Sequence, residues 1–238
     1  MSHHLNATAL REYDIRGIIG ETLGEADAYA IGRGFGTCRV RAGGKKAAVG
    51  YDGRVSSPML EAALVKGLND SGVDVVRIGM GPTPMLYYAE ASAEQVDGGI
   101  QITGSHNPPN YNGFKMVFQG RPFFGADIQK LGKLAADGAF ASGVGEVTDR
   151  DILGEYVERL LEGLAGIDPA KLEGLRVGWD AGNGAAGPAL EALARALVGF
   201  IAAQQAVDVE AAALLAQPAD DAAAGAAFGL IHRLIRLL

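Results

Sequence analysis

Residues 98–118 of this chain read GGIQITGSHNPPNYNGFKMVF. The apolar run that ends at Thr103 and the alternating run from Phe114 to Phe118 are typical of two strands. Between them, two consecutive prolines restrict the backbone and keep the residue before them out of the helical region. The pattern therefore predicts a strand, a stiff loop and a second strand, with the Ser105 hydroxyl held at the edge of a sheet, where functional groups are often carried.

Similar patterns extend outward from this stretch. Short apolar runs bounded by Gly or Asp are typical of buried strands, and apolar positions at helical spacing are typical of helices that cover a sheet. They predict strands over residues 47–52, 73–79 and 96–103, and helices over residues 25–38, 56–69, 82–90 and 126–136. Ser56, followed by Ser57 and Pro58, favours an N-cap for the second helix. The alternation predicts an α/β fold, a layered sheet with helices on both faces.

An incomplete second α/β domain is predicted after the first. Its elements are an amphipathic helix over residues 151–164, a strand over residues 175–180 (LRVGWD) and a helix over residues 188–197. The predicted limits are 1–148 for the first domain, 149–169 for a connecting helix and linker, 170–198 for the start of the second domain and 199–238 for a divergent, Ala-rich tail.

Composition limits the classes of function. The chain has 238 residues, of which 48% are hydrophobic, and this suffices for a sizeable core. Its formal net charge of −7 argues against a nucleic-acid-binding surface, which needs a clustered basic face. A single cysteine cannot form an internal disulfide, and no secretory signal or membrane-spanning run is evident. We therefore expect a cytoplasmic protein without nucleic-acid or membrane partners, and its oligomeric state stays open.

Two other chemistries compete for the same residues. Ser105 and His106 are adjacent, as in a serine hydrolase, but the nucleophile elbow needs glycine where this chain has Thr103 and Asn107. Residues 182–187 (GNGAAG) match a dinucleotide-binding pattern, whose confirming acidic residue ends a second strand about 20 residues further on. The sequence predicts helix there, so the dinucleotide alternative is weaker, and it stays open.

Three segments resemble motifs of the α-D-phosphohexomutase family, the phosphomannomutases and phosphoglucomutases. They are residues 103–115 (TGSHNPPNYNGFK), 11–17 (REYDIRG) and 52–54 (DGR). The sequence DAGNG at 180–184 is also similar to the first strand-to-helix turn of that family's second domain. The resemblance implies a reaction in which a phosphoryl group moves between the 1 and 6 positions of a hexose phosphate by way of a phosphoserine.

The resemblance also implies roles for individual residues. Ser105 is the phosphorylated serine, and His106 and Lys115 assist proton transfer to and from the sugar hydroxyl. Tyr13 and Arg16 face the active site, where Arg16 supplies a permanent charge and forked donors for phosphate oxygens. A phosphoserine carries a charge of about −1.5 to −2, so a working site has to gather cations around it.

Arg54 and Asn107 are expected in the same phosphate environment. Arg54 follows a predicted strand, at the carboxyl edge of the sheet where ligands of open α/β folds bind. Its guanidinium either contributes to the field around the phosphate or pairs with a carboxylate to hold a loop. The sequence leaves both roles open.

The implied cofactors are Mg2+, bound through the phosphate on Ser105, and a hexose 1,6-bisphosphate as activator. The family's aspartate ligands are absent from this sequence. The acids after Glu191 are Asp208, Glu210, Asp220 and Asp221. Their spacing does not alternate in the way that brings carboxylates together on a hard cation. We therefore expect a truncated form with little or no mutase turnover by itself, and the alternative is a non-catalytic remnant or binding module. Mannose, glucose and glucosamine phosphates all stay open as substrates.

Overall fold

A computed structural model describes residues 2–165, 167 and 177–205, with the backbone alone for residues 199–205. A first compact unit comprises residues 1–152, and a second unit begins at Leu153. No helix within this described part is long and apolar enough to cross a bilayer.

The first unit contains seven strands and four helices in its described part. They are β1 (Ile15–Ile18), α1 (Glu25–Arg41), β2 (Lys46–Tyr51), α2 (Ser57–Asn69), β3 (Asp74–Met80), α3 (Thr83–Ser92), β4 (Val96–Ile102), β5 (Tyr111–Phe118), β6 (Arg121–Pro122), α4 (Ala126–Asp137) and β7 (Val147–Asp149). The strands and helices predicted for this unit are all present, with ends that differ by at most a few residues. Strands β1, β6 and β7 were not predicted, because two to four residues are too few to show a period.

The strands form one mixed sheet in the order β1-β5-β4-β2-β3-β7, with β6 paired to β5. Strands β4, β2, β3 and β7 run parallel to one another, whereas β5 is antiparallel to both β4 and β1. The turn from β4 into β5 therefore lies where the parallel part of the sheet meets its antiparallel edge, and this turn contains Ser105.

Helices cover both faces of the sheet, as predicted. Gly98 and Gly99 are neighbours on β4, and successive side chains of a strand point to opposite faces. A Cβ at Gly98 would meet Phe35 and Arg39 of α1, whereas a Cβ at Gly99 would meet Leu86 of α3. Helices α1 and α3 therefore lie on opposite sides of β4.

In the second unit, α5 (Leu153–Leu161), a 3-10 turn (Glu162–Leu164) and α6 (Gly187–Gln205) are helical. The strand predicted over residues 175–180 is not observed in its described part, since Val177 to Asp180 belong to no strand. A strand needs a neighbour to satisfy its backbone groups, and no described strand pairs with these residues. Residues 175 and 176, and the predicted tail beyond residue 205, lie outside the described residues.

The single cysteine, Cys38, lies on α1 with its side chain partly buried. Burial raises the pKa of its thiol, while Lys130 and Arg41 act in the opposite direction and only partly offset that rise. We expect alkylation by iodoacetamide to be slower than that of the same cysteine in the denatured chain at neutral pH, because the thiolate is the nucleophile. The pH at half-maximal rate should also be higher in the folded chain. A midpoint at or below that of the denatured chain would contradict this prediction.

Candidate functional site

Ser105 lies on a loop of residues 103–110, here called the serine loop, that joins β4 to β5. Its backbone has φ of +52°, in the left-handed region that residues with a Cβ seldom adopt. The Ser105 N–H donates to Thr103 Oγ1 over 3.0 Å, and the residue is half-buried. Its hydroxyl has no hydrogen-bond partner among the described residues. The loop thus presents an unengaged nucleophile on a constrained backbone.

The guanidinium of Arg54 is surrounded by carbonyl oxygens of this segment. Nη1 donates to the carbonyls of Pro108 (2.7 Å) and Tyr111 (2.9 Å). Nη2 donates to those of Ser105 (3.1 Å) and Asn107 (2.7 Å). Of the two roles left open by the sequence, the contacts in this structure are those of a residue that holds the loop.

Asp52 joins Arg54 in holding the serine loop. One carboxylate oxygen accepts the Gly104 N–H over 3.0 Å and lies 3.3 Å from Arg54 Nε. The other accepts the Ser57 hydroxyl over 2.6 Å. Asp52 was not predicted as a site residue, although its position at the end of a strand, two residues before an arginine, could have indicated a role in the site.

A second carboxylate, Asp14, brings two of the predicted cations together. It is buried and forms an ion pair with the guanidinium of Arg16, which is buried as well. The same carboxylate lies 3.7 Å from Lys115 Nζ. Nη2 of Arg16 pairs with Asp14, whereas Nη1 and the buried Nε have no hydrogen-bond partner among the described residues. Asp14 was not predicted as a site residue. Only its two-residue spacing to Arg16 could have indicated that both side chains lie on the same face of an extended segment.

The strand register places these cations at the same end of the sheet as the serine loop. Arg16 pairs with Gly113 across β1 and β5, and the Gly113 carbonyl accepts the Thr103 N–H over 2.9 Å. Lys115, two residues along β5, pairs with Gln101 on β4. Arg16 therefore lies in the row of residues from which the serine loop leaves the sheet.

The other predicted site residues have different surroundings. Tyr13 is 76% exposed and stacks on Phe124, with ring centroids 6.3 Å apart. His106 is exposed and makes no hydrogen bond to any described residue. Asn107 closes the loop on itself, since its side-chain amide donates to the Gly104 carbonyl over 3.1 Å. The side-chain hydrogen bond of Asn107 is therefore within the loop, while its carbonyl accepts from Arg54.

Ser56 does not act as the predicted side-chain cap of α2. It occupies the N-cap position, but its side chain makes no capping hydrogen bond. Its hydroxyl instead accepts the side-chain amide of Asn112 over 2.8 Å, and Asn112 also donates to Ser57 over 3.0 Å. The fully buried Asn112 competes successfully for the serine because a buried amide without a partner is costly.

The family described as phosphoglucomutase/phosphomannomutase, alpha/beta/alpha domain I, matches residues 7–142. This range includes the serine loop, both cations on Asp14 and the pair formed by Asp52 and Arg54. The chain belongs to this family. Among its relatives, the phosphomannomutase/phosphoglucomutase of Pseudomonas aeruginosa is 44% identical over 193 residues, which are 81% of this chain and 40% of the relative.

Another curated relative and a solved structure support the same family assignment. The phosphoglucomutase of Neisseria meningitidis serogroup B is 42% identical over 179 residues, covering 74% of this chain and 38% of that protein. A solved structure of a phosphoglucomutase/phosphomannomutase family protein from Burkholderia thailandensis has a TM-score of 0.64 and 44% identity. It covers 66% of this chain and 36% of that one. This chain spans about 40% of the length of the curated relatives that it matches.

The glycine motif at 182–187 lacks the framework of a dinucleotide site in the described residues. The turn is closed by a hydrogen bond from Gly182 N–H to Asp180 over 2.7 Å, and α6 begins at Gly187. The fingerprint needs a strand before the turn, and the described residues 177–180 belong to none. It also needs an acidic residue at the end of a second strand, whereas α6 continues through Gln205.

The described residues do not form a metal site by themselves. No group of three or more His, Cys, Asp or Glu side chains within them converges as metal ligands would. A phosphate on Ser105 would add oxygen donors, yet Mg2+ prefers several oxygen ligands in octahedral geometry. The described residues therefore do not fit a resident magnesium ion.

Proposed function

We propose that this phosphoglucomutase/phosphomannomutase family chain accepts a phosphoryl group on Ser105 from a hexose 1,6-bisphosphate. The parent reaction moves the phosphoryl group between the 1 and 6 positions of a hexose phosphate. One observation carries the proposal: an unengaged serine hydroxyl lies on a constrained loop, at the end of the sheet where Arg16 keeps a buried donor without a partner.

The phosphoryl transfer needs no reactant besides the chain and the bisphosphate. A bond forms between Ser105 Oγ and the phosphorus, the bond from phosphorus to a sugar oxygen breaks, and the serine proton passes to that sugar oxygen. A hexose monophosphate leaves and a phosphoserine stays. The reverse step returns the phosphoryl group to the other end of a hexose monophosphate. His106 and Lys115 are the residues that we propose to carry the proton.

Charge is the main demand of phosphoryl transfer, because catalysis depends on positioning and on neutralising the phosphoryl oxygens. Arg16 and Lys115 together carry two positive charges and share one carboxylate, Asp14. The cluster therefore keeps a net positive charge for an incoming phosphate. We propose that the guanidinium of Arg16 donates to a phosphate oxygen through Nη1, which has no hydrogen-bond partner among the described residues.

The proposal is tested by intact-mass measurement after incubation with glucose 1,6-bisphosphate and magnesium. We expect the chain to gain the mass of one phosphoryl group and Ser105→Ala to gain none. Ser142→Ala is the matched control, because Ser142 is also a loop serine, is exposed and has no hydrogen bond to any described residue. It should gain the phosphoryl group as the unchanged chain does.

Two outcomes would reject the proposal. An adduct that persists in Ser105→Ala would place the phosphoryl group elsewhere, and no adduct on the unchanged chain would favour a binding module. Mutase turnover is measured separately, as the formation of glucose 6-phosphate from glucose 1-phosphate with magnesium and the bisphosphate present. We expect this turnover to be small.

A further inference from the structure

We infer that Arg54 is a positioning residue that holds the serine loop around its guanidinium, rather than a ligand of the substrate phosphate. Asp52 supports it from the other side. The inference rests on the proposed function, because it explains how the Ser105 hydroxyl is held ready for a phosphoryl group.

The donor inventory of Arg54 supports this role. An arginine has five N–H donors in a planar fork and no acceptor. The four donors on Nη1 and Nη2 are matched by three carbonyls of the serine loop and by that of Tyr111, the first residue of β5, at 2.7–3.1 Å. The fifth, on Nε, faces Asp52 at 3.3 Å. The four Nη donors could therefore reach a substrate phosphate only by breaking one of these contacts.

The loop conformation explains why such a clamp is needed. A left-handed backbone at a residue with a Cβ persists only where its surroundings enforce it. Arg54 binds the Ser105 carbonyl, and the Ser105 N–H donates to Thr103 Oγ1, so the peptide groups on both sides of Ser105 are held. Asp52 holds the next peptide group towards the N-terminus by accepting the Gly104 N–H. Arg54 and Asp52 thus form their hydrogen bonds with main-chain groups of the loop, and the Ser105 hydroxyl has no hydrogen-bond partner among the described residues.

Arg16 provides the contrast that separates the two arginines. Its Nη2 is paired with Asp14, but its Nε is buried without a partner. The Nη donors of Arg54 are all hydrogen-bonded, whereas Nη1 of Arg16 also has no partner among the described residues, although both arginines lie at the same end of the sheet. The geometry therefore assigns phosphate binding to Arg16 and loop positioning to Arg54.

A lysine at position 54 separates charge from geometry. It keeps the positive charge, but a compact ammonium with three donors cannot satisfy four carbonyls spread around a planar fork. If Arg54 acts through its charge, Arg54→Lys should behave as the unchanged chain does. If Arg54 acts as a clamp, Arg54→Lys should resemble Arg54→Met, which removes both charge and donors.

We would measure amide hydrogen exchange of the peptide that covers the serine loop, together with the rate of adduct formation from glucose 1,6-bisphosphate. We expect exchange to become about tenfold faster in both Arg54 variants, because the held carbonyls and the Gly104 N–H are released. Adduct formation should slow about tenfold or more in both, with the thermal midpoint changed little. Arg121→Lys is the control, since Arg121 is exposed and pairs with Asp127 at 2.8 Å.

Exchange or adduct formation at the unchanged rate in Arg54→Lys would overturn the inference, and so would faster exchange that left adduct formation unaffected. A thermal midpoint that falls in step with the loss of adduct would also overturn it, by showing a role in folding alone. If the unchanged chain forms no adduct, the proposed function fails, and the exchange measurement still decides whether Arg54 holds the loop.

Discussion

Asp97→Ala should lower the free energy of unfolding by about 3–5 kcal/mol, because it leaves a buried arginine without its counter-charge. The partner is Arg39 on α1, whose side chain is completely buried and forms an ion pair with Asp97 on β4. Nε and Nη1 of Arg39 already have no hydrogen-bond partner among the described residues. The pair is therefore the main compensation for burying this charge.

The Arg39 side chain is enclosed by α1, β4 and β5, whereas the Asp97 side chain is 41% exposed. A Cβ at Gly98 would lie 3.0 Å from Arg39 Cδ, and the guanidinium lies over the Phe118 ring at 5.2 Å. Burial lowers the pKa of Arg39, and Glu90 acts in the opposite direction. Without Asp97, the guanidinium would have to stay charged in this enclosure or pull out of it, and both disrupt the packing of α1 on the sheet.

Chemical denaturation of matched variants measures the effect. Asp137→Ala removes a carboxylate from an exposed pair with Lys133 and should change the stability by less than about 0.5 kcal/mol. Combining Asp97→Ala with Arg39→Met should recover most of the loss, because methionine removes the buried charge that the carboxylate compensates. An Asp97→Ala protein as stable as Asp137→Ala would show that Arg39 does not depend on this carboxylate.

Gly67→Ala should lower the free energy of unfolding by about 2–3 kcal/mol, because helices α1 and α2 meet through their backbones at this glycine. A Cβ at Gly67 would lie 2.3 Å from the carbonyl oxygen of Tyr29. The converse contact is equally close, since a Cβ at Gly32 would lie 2.3 Å from the carbonyl oxygen of Leu64. Neither backbone can yield without moving a helix, so the two helices would have to separate.

The same substitution elsewhere should have the opposite sign. Gly154 lies on α5, and a Cβ there would meet no atom within 4 Å. Gly154→Ala should therefore raise the stability by about 0.5 kcal/mol or less, because Gly154 lies in the first turn of α5 and the full preference for alanine over glycine applies to helix interiors. Denaturant midpoints of the two variants give the comparison. Denaturant midpoints that shift in the same direction in both variants would contradict the close approach of α1 and α2.

Local patterns were sufficient for most elements of the first unit. Helix α2 was predicted within one residue at each end, because its apolar positions recur at helical spacing and a serine and proline open it. Strand β4 was predicted with one residue too many at Thr103, whose N–H bonds to β5 in the structure. In contrast, β7 has three exposed residues and depends on pairing with β3, which no local signal could indicate.

Some features of the candidate site could likewise be predicted from neighbouring residues, whereas others depend on the tertiary structure. The motif around Ser105 and the stiffness of its loop follow from neighbouring residues, since prolines and turn residues act on the backbone beside them. The role of Asp14 follows from β1 lying beside β5, which brings Lys115 next to a residue about a hundred positions earlier in the chain. The contacts of Arg54 with the loop carbonyls likewise required that β2 and β4 be adjacent.

Sequence alone thus established the kind of fold, the family resemblance and the candidate nucleophile, because these depend on side-chain periodicity and on short motifs. Only the folded chain decided which charges meet. The carboxylate shared by Arg16 and Lys115, the carbonyls around Arg54 and the buried partner of Asp97 all join residues far apart in the chain. Such contacts depend on the strand order and on the packing of helices against the sheet, neither of which is encoded at any one position.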